Sequence, residues 1–152
     1  MSETVLATVT LDLPAPCEAV FEAWLDPLQV RQWMSAALKD MGLSGDMQRV
    51  EIDPVEGGCF RFSDLRPEGE AQHWGTYRQI DYPGTLIWTW FTSPDEEVLD
   101  NSLVTLKLTA TERGCQAVIT HQLAHKWRDY LEQVEQGWSC LLKYSGQKHG
   151  AD

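Results

Sequence analysis

Between residues 48 and 123 the chain reads as one strand after another, and this constrains its fold more than any other feature. The strand segments are QRVEID (48–53), GCFRFSDL (58–65), QHWGTYRQID (72–81), TLIWTWF (85–91), SLVTLKLTAT (102–111) and CQAVITHQL (115–123). The links between them carry turn chemistry: Pro54 with Gly57-Gly58, Pro67 with Gly69, Pro83-Gly84, Pro94-Asp95 and Glu112-Arg113-Gly114. Links this short join neighbours as antiparallel hairpins. An antiparallel sheet with one apolar face needs a cover. The covering element has to come from elsewhere in the chain.

The C-terminal segment supplies it. Over 125–145, Trp127, Tyr130, Leu131, Val134, Trp138, Leu141 and Leu142 fall on one face of a long amphipathic helix, with Asp129, Glu132, Gln133, Glu135 and Gln136 opposite. Gly146, Gly150 and Asp152 read as a frayed tail. At the other end, Val5, Ala7, Val9, Leu11 and Leu13 alternate as a half-buried strand. Pro14 and Pro16 lead into a short helix carrying Ala19, Val20, Ala23 and Trp24. Asp26-Pro27 caps a second, with Leu28, Val30, Trp33 and Met34 on its apolar side. Residues 35–47 read as a loop with a helical turn, and long loops in compact domains tend to be functional or mobile.

The expected fold class is therefore α+β: one strand, two short helices, six strands and one long helix, in a single domain over 1–152. A chain of 152 residues buries roughly 68–70% of its unfolded surface, enough for a core without staples. Its seven Trp outnumber the four Phe, a skew that points to a particular use for indoles.

Charge and cysteine usage narrow the function classes. The net charge of −11 disfavours nucleic acid and anionic membrane, which both require a basic footprint. Cys17, Cys59, Cys115 and Cys140 show no C-x-x-C spacing and sit among apolar neighbours, as buried inert thiols do. The N-terminus lacks the basic and apolar regions of a signal peptide, and no apolar run approaches the roughly 20 residues of a membrane span. These features predict a cytoplasmic protein. His73, His121 and His125 lack a metal spacing on one element, so neither a metal nor a cofactor is expected. The acidic clusters Glu68/Glu70 and Asp95/Glu96/Glu97 are expected to be solvated in turns.

Strand parity selects an inward set. Leu86, Trp88 and Trp90 share a face, as do Val104, Leu106 and Leu108, then Ala117, Ile119, His121 and Leu123, and Phe60 with Phe62. Tyr77 joins them, its spacing to Ile80 implying a β-bulge, and Trp74 then points outward or to an edge. With Trp33, and with Tyr130, Val134, Trp138 and Leu141 of the helix, these residues form either a filled core or the wall of a ligand cavity. Composition does not separate the two, because mostly apolar walls with a few polar tips suit both. His121, on an apolar strand face, reads as a hydrogen-bonded core residue, a polar anchor or an acid–base group. Gly137 costs about 1 kcal/mol mid-helix relative to Ala, and its small volume leaves cavity space beside Trp138.

The order of elements and the stretches APCEAVFEAWLDPLQVRQW, VEIDPVEGGCFRF, GTYRQIDYPGTLIWTW, GCQAVITHQL and QGWSCLL resemble the START-like (SRPBCC) superfamily, in the branch named after the activator of the heat-shock-protein ATPase. The resemblance spans nearly the whole chain. It implies a helix-grip fold, a seven-stranded antiparallel sheet curved around the C-terminal helix with an apolar cavity between them. A fold of this kind does not define a reaction. The span from Trp33 to Gly57 is longer than the branch pattern, which makes 35–47 a candidate gate. The expected role is binding a small apolar or aromatic molecule. The alternatives are a cyclase or dehydratase using His121 with Tyr77 or Tyr130, and a chaperone-ATPase-associated module acting through its surface at Trp74 and the 35–47 segment. A homodimer is left open.

Overall fold

The computed structural model describes residues 4–147, so Gly150 and Asp152 lie outside the described residues. Strand β1 (Thr4–Leu13) is followed by α1 (Cys17–Leu25) and α2 (Pro27–Asp40). Four strands come next: β2 (Met47–Ile52), β3 (Cys59–Arg66), β4 (Gly69–Asp81) and β5 (Thr85–Thr89). A short α3 (Pro94–Leu99) precedes β6 (Leu103–Thr111) and β7 (Gly114–Ala124). A 3-10 segment (His125–Tyr130) then leads into α4 (Leu131–Ser145).

The strands form one seven-stranded antiparallel sheet in the order β1-β7-β6-β5-β4-β3-β2. Six consecutive strands pair with their neighbours, all through short links except β5 and β6, whose connection carries α3. Strand β1 closes on β7, pairing Thr4 with Ala124 through to Leu13 with Cys115. The helices α1 and α2 carry the chain from one sheet edge to the other. They lie with α4 on the concave face, giving the α+β helix-grip architecture that the element order implied. The bulge expected in β4 occurs between Tyr77 and Gln79, where the register to β5 shifts.

Helix α2 is longer than expected. Residues 35–40 continue it, because Val30, Trp33, Met34, Ala37 and Leu38 keep a helical period of buried positions. Asp26 caps its start, accepting a hydrogen bond from the Leu28 N–H at 2.9 Å. It stops at Gly42, whose φ of 88° suits glycine. The irregular segment thus shrinks to 41–46. The C-terminal element is shorter than expected, since 125–130 form a 3-10 segment, and this turns Tyr130 out to 53% exposure.

Helix α3 replaces the turn expected at Pro94-Asp95. Ser93 accepts from the Glu96 N–H, while Glu96 accepts from the N–H of Thr92 at 2.7 Å and its hydroxyl at 2.8 Å. The S-x-x-E spacing of Ser93 and Glu96 is that of a capping box, with the Glu96 carboxylate reaching back one residue further, to Thr92. The acidic clusters are accordingly not merely solvated: Glu96 caps, Glu97 accepts from Trp74 Nε1 at 3.2 Å, and Glu70 accepts from Ser63.

Two further expectations are corrected. Cys59 is exposed, whereas Cys17 and Cys115 are buried with their thiols 3.1 Å apart. Burial, followed by the adjacent Cys17, pushes the Cys115 thiol up to about 12. Gly146 is not frayed: its carbonyl accepts from the Ala15 N–H at 3.3 Å. A Cβ there would lie 2.5 Å from Leu13 Cδ1, so any larger residue would have to displace the buried Leu13 side chain.

The core gathers around Trp24. Its ring lies 4.6 Å from Trp33, 5.3 Å from Trp88 and 6.4 Å from Trp138, centroid to centroid. Its Nε1 donates to Ser145 Oγ at 2.9 Å, tying α1 to the end of α4. Helix α1 thereby closes one end of the sheet–helix space and leaves the other end open.

Candidate ligand-binding cavity

The open end holds a cavity of about 310 Å³. It is bounded by the inner faces of β3, β4 and β7, by Trp90 just beyond β5, by α2 and residues 41–47, and by α4 with the 3-10 segment. This volume lies at the lower end of the range of small-molecule sites.

The thirteen residues picked from the sequence divide into three groups. Phe62, Trp90, His121, Val134, Trp138 and Leu141 come together in the cavity wall. Trp33, Phe60, Tyr77, Trp88, Leu106 and Ile119 are buried in the packed core beside it. Tyr130 is exposed and outside the lining. The space enclosed by Trp24, Phe60, Phe62, Tyr77, Leu86 and Trp88 is only about 10 Å³, too little for a guest. Trp88 is filling, and Trp90 is wall.

Trp90 is placed by a deflection in its strand. Regular β5 ends at Thr89, and the chain pairs again at Phe91, which exchanges backbone hydrogen bonds with Trp74. Gly75 permits this: a Cβ there would sit 2.1 Å from the Thr89 carbonyl oxygen. Trp90 then stacks on His73 at 4.8 Å and 22° and meets Trp138 edge-on at 5.1 Å.

His121 fixes the opposite wall. Trp138 Nε1 donates to His121 Nδ1 at 2.9 Å, so Nδ1 carries no proton. The proton therefore sits on Nε2, which donates to Ser102 Oγ at 2.8 Å. Burial lowers its pKa to about 3, so the ring is neutral at pH 7. Both nitrogens are occupied, Nδ1 binding α4 to the sheet and Nε2 binding the residue before β6, and Trp138 is held with its indole edge toward His121. Tyr77 stands in the core, its hydroxyl pKa raised by burial. The cavity does not bring His121 together with Tyr77 or Tyr130.

Parts of the wall were not picked from the sequence. Met34 and Leu38 come from α2, and Met41, Leu43 and Met47 from the segment after it. For Leu38 the signal was the helical period running past residue 34. Three thioethers make this wall adaptable. Asp64, Arg66 and His73 supply a charged and polar end, with Thr92 and Glu96 nearby. Asp64 and Arg66 extend the inward parity of Phe60 and Phe62 along β3. Asp64 is almost fully buried and forks to Arg66, accepting from Nε at 2.8 Å and Nη2 at 3.3 Å. Burial, and then the Arg66 charge, lowers His73 to about 4.

Among the described residues no cluster of His, Cys, Asp or Glu has the makings of a metal site, and no helix is long and apolar enough to cross a membrane.

A curved antiparallel sheet gripping a C-terminal helix, with an apolar space at one end, places the protein among START-like helix-grip proteins. The family model described as activator of Hsp90 ATPase homolog 1-like protein matches residues 14–144, so the chain belongs to that family. No curated protein matches it. Among solved structures it is similar to a protein of unknown function from Staphylococcus aureus, with TM-score 0.75 and 17% identity over 95% of this chain and 92% of that one. A Chromobacterium violaceum protein is similar with TM-score 0.72 and 21% identity, covering 98% and 99% of the two chains. An AHSA1-like protein from Aeromonas hydrophila has TM-score 0.72 and 20% identity, covering 97% and 99%. Likeness at these identities establishes the fold alone.

Proposed function

We propose that this chain binds a small apolar or aromatic molecule in the cavity between its sheet and α4. The observation that carries this reading is space where a core would be filled. Protein interiors close-pack to leave few voids larger than a water, whereas here the sheet–helix layer gives way at one end to a recess of about 310 Å³, open to solvent on one side and walled by methionine, leucine and indole. Gly137 contributes to that space. It lines the cavity, and a Cβ built on it would meet no atom within 4 Å. A surface role draws less support, because Trp74 is engaged by Glu97 and by the Arg61 guanidinium 5.1 Å from its ring centroid.

The test is native mass spectrometry of freshly purified protein, followed by titration with apolar probes read through tryptophan fluorescence. Trp90 and Trp138 line the space, so a guest should alter their emission. Gly137→Leu should fill the cavity and weaken probe binding on the order of tenfold or more, while helix content and unfolding midpoint stay near wild type. Unchanged binding in Gly137→Leu would remove this reading.

A further inference from the structure

We propose that the cavity selects a monocarboxylic acid, with its apolar tail against Trp90, Trp138 and the methionines and its carboxylate on Arg66. This rests on the ligand-binding reading above and deepens it by naming the head group.

The inward face of β3 changes character along its length. Phe60 and Phe62 are apolar, and Asp64 and Arg66, two and four residues on, are charged. The charged pair gives the cavity one polar end. Asp64 is buried while the Arg66 side chain is 25% exposed. Burying a carboxylate, even a paired one, is rarely favourable compared with an apolar group of the same volume, so its position in a ligand-sized space needs another reason.

Asp64 supplies that reason by geometry. It takes Nε and one Nη2 proton of Arg66 and holds the guanidinium plane in place. Among the described residues no acceptor takes Nη1, whose two protons remain for a guest. A guanidinium suits a carboxylate because its parallel N–H groups match the two oxygens. Neutral His73, stacked on Trp90, offers a further polar contact at the same end. Glu96 faces this end from α3, with one carboxylate oxygen already accepting from Thr92. It limits the total negative charge a guest can bring, as does the net charge of −11. A single carboxylate fits these limits and a dianion does not.

Three ten-carbon probes that differ only in head group test the idea: decanoate, decanol and decylamine. Each is titrated into the full-length protein at pH 7 by calorimetry. Decanoate should bind on the order of tenfold more tightly than decanol, and decylamine should bind most weakly. Arg66→Gln alone would leave Asp64 buried without its partner, so the informative variant is Asp64→Asn with Arg66→Gln. It should retain decanol affinity and lose the preference for decanoate. Equal binding of decanol and decanoate to the wild type would overturn the head-group assignment and leave the cavity reading standing. So would a decanoate preference that survives in the double variant, or decylamine binding tightest. Failure of all three probes to bind would overturn both.

Discussion

Lowering the pH from 7 to 3 should strip several kcal/mol from the folding stability of this protein, chiefly through two imidazoles. Burial holds His121 at about 3 and His73 at about 4, whereas an unfolded chain titrates histidine near about 6.5. Within that window the unfolded chain takes up protons that the folded chain refuses. The stabilisation is therefore complete above pH 6.5 and is lost as the pH falls toward 3. Each site contributes roughly 3–5 kcal/mol by the bottom of its window. The half-buried His73 carries the smaller share. The sum is comparable with the whole stability of an ordinary domain, so acid unfolding should set in well above pH 3. Urea midpoints measured across pH 7 to 4 check this. In His121→Gln the slope of stability against pH should fall by about one proton. A stability that stays flat from pH 6.5 to 4 in the wild type would contradict the buried neutral state of both rings.

Truncating the ring at the centre of the core should have a comparable effect. Trp24→Ala is expected to cost about 3–5 kcal/mol, the range for removing a large aromatic from a packed interior. The indole touches Trp33, Trp88 and Trp138, so a cavity there would have walls from α2, β5 and α4 at once. The loss also strips Ser145 Oγ of its donor, although that hydroxyl still donates to the Leu142 carbonyl at 2.8 Å. Trp24→Phe keeps most of the contact area and should lose only about 1–2 kcal/mol. Equilibrium denaturation separates these outcomes. A Trp24→Ala midpoint close to wild type would mean that this cluster does not organise the core. The contrast with Gly137 is instructive. Adding atoms at 137 is expected to be benign for folding and costly for binding, whereas removing them at 24 reverses the two.

Much of the fold was legible because it rests on local rules. Period-two patterns and turn residues between 48 and 123 imply an antiparallel run whatever covers it. The alternation in TLIWTWF was enough to put Trp88 and Trp90 on one face. Helix ends were harder to read, since α2 outran its expected end and the C-terminal helix began later than its apolar pattern. In both cases the backbone state was decided by packing against other elements, which local periodicity only partly encodes. The S-x-x-E cap of α3 was present in the chain, hidden behind a proline that also suits a turn.

Parity and composition by themselves determined that a face rich in indoles, with one imidazole, would meet an amphipathic helix. These are properties of a residue and its near neighbours. Only the tertiary structure decided which of those indoles fill space and which border it. Trp88 and Trp90 have the same parity and chemistry, yet Trp24 from α1 closes over the first, while the second faces Gly137 and the methionines around α2. Whether a volume is filled depends on side chains brought from both ends of the chain, and no local pattern carries that sum.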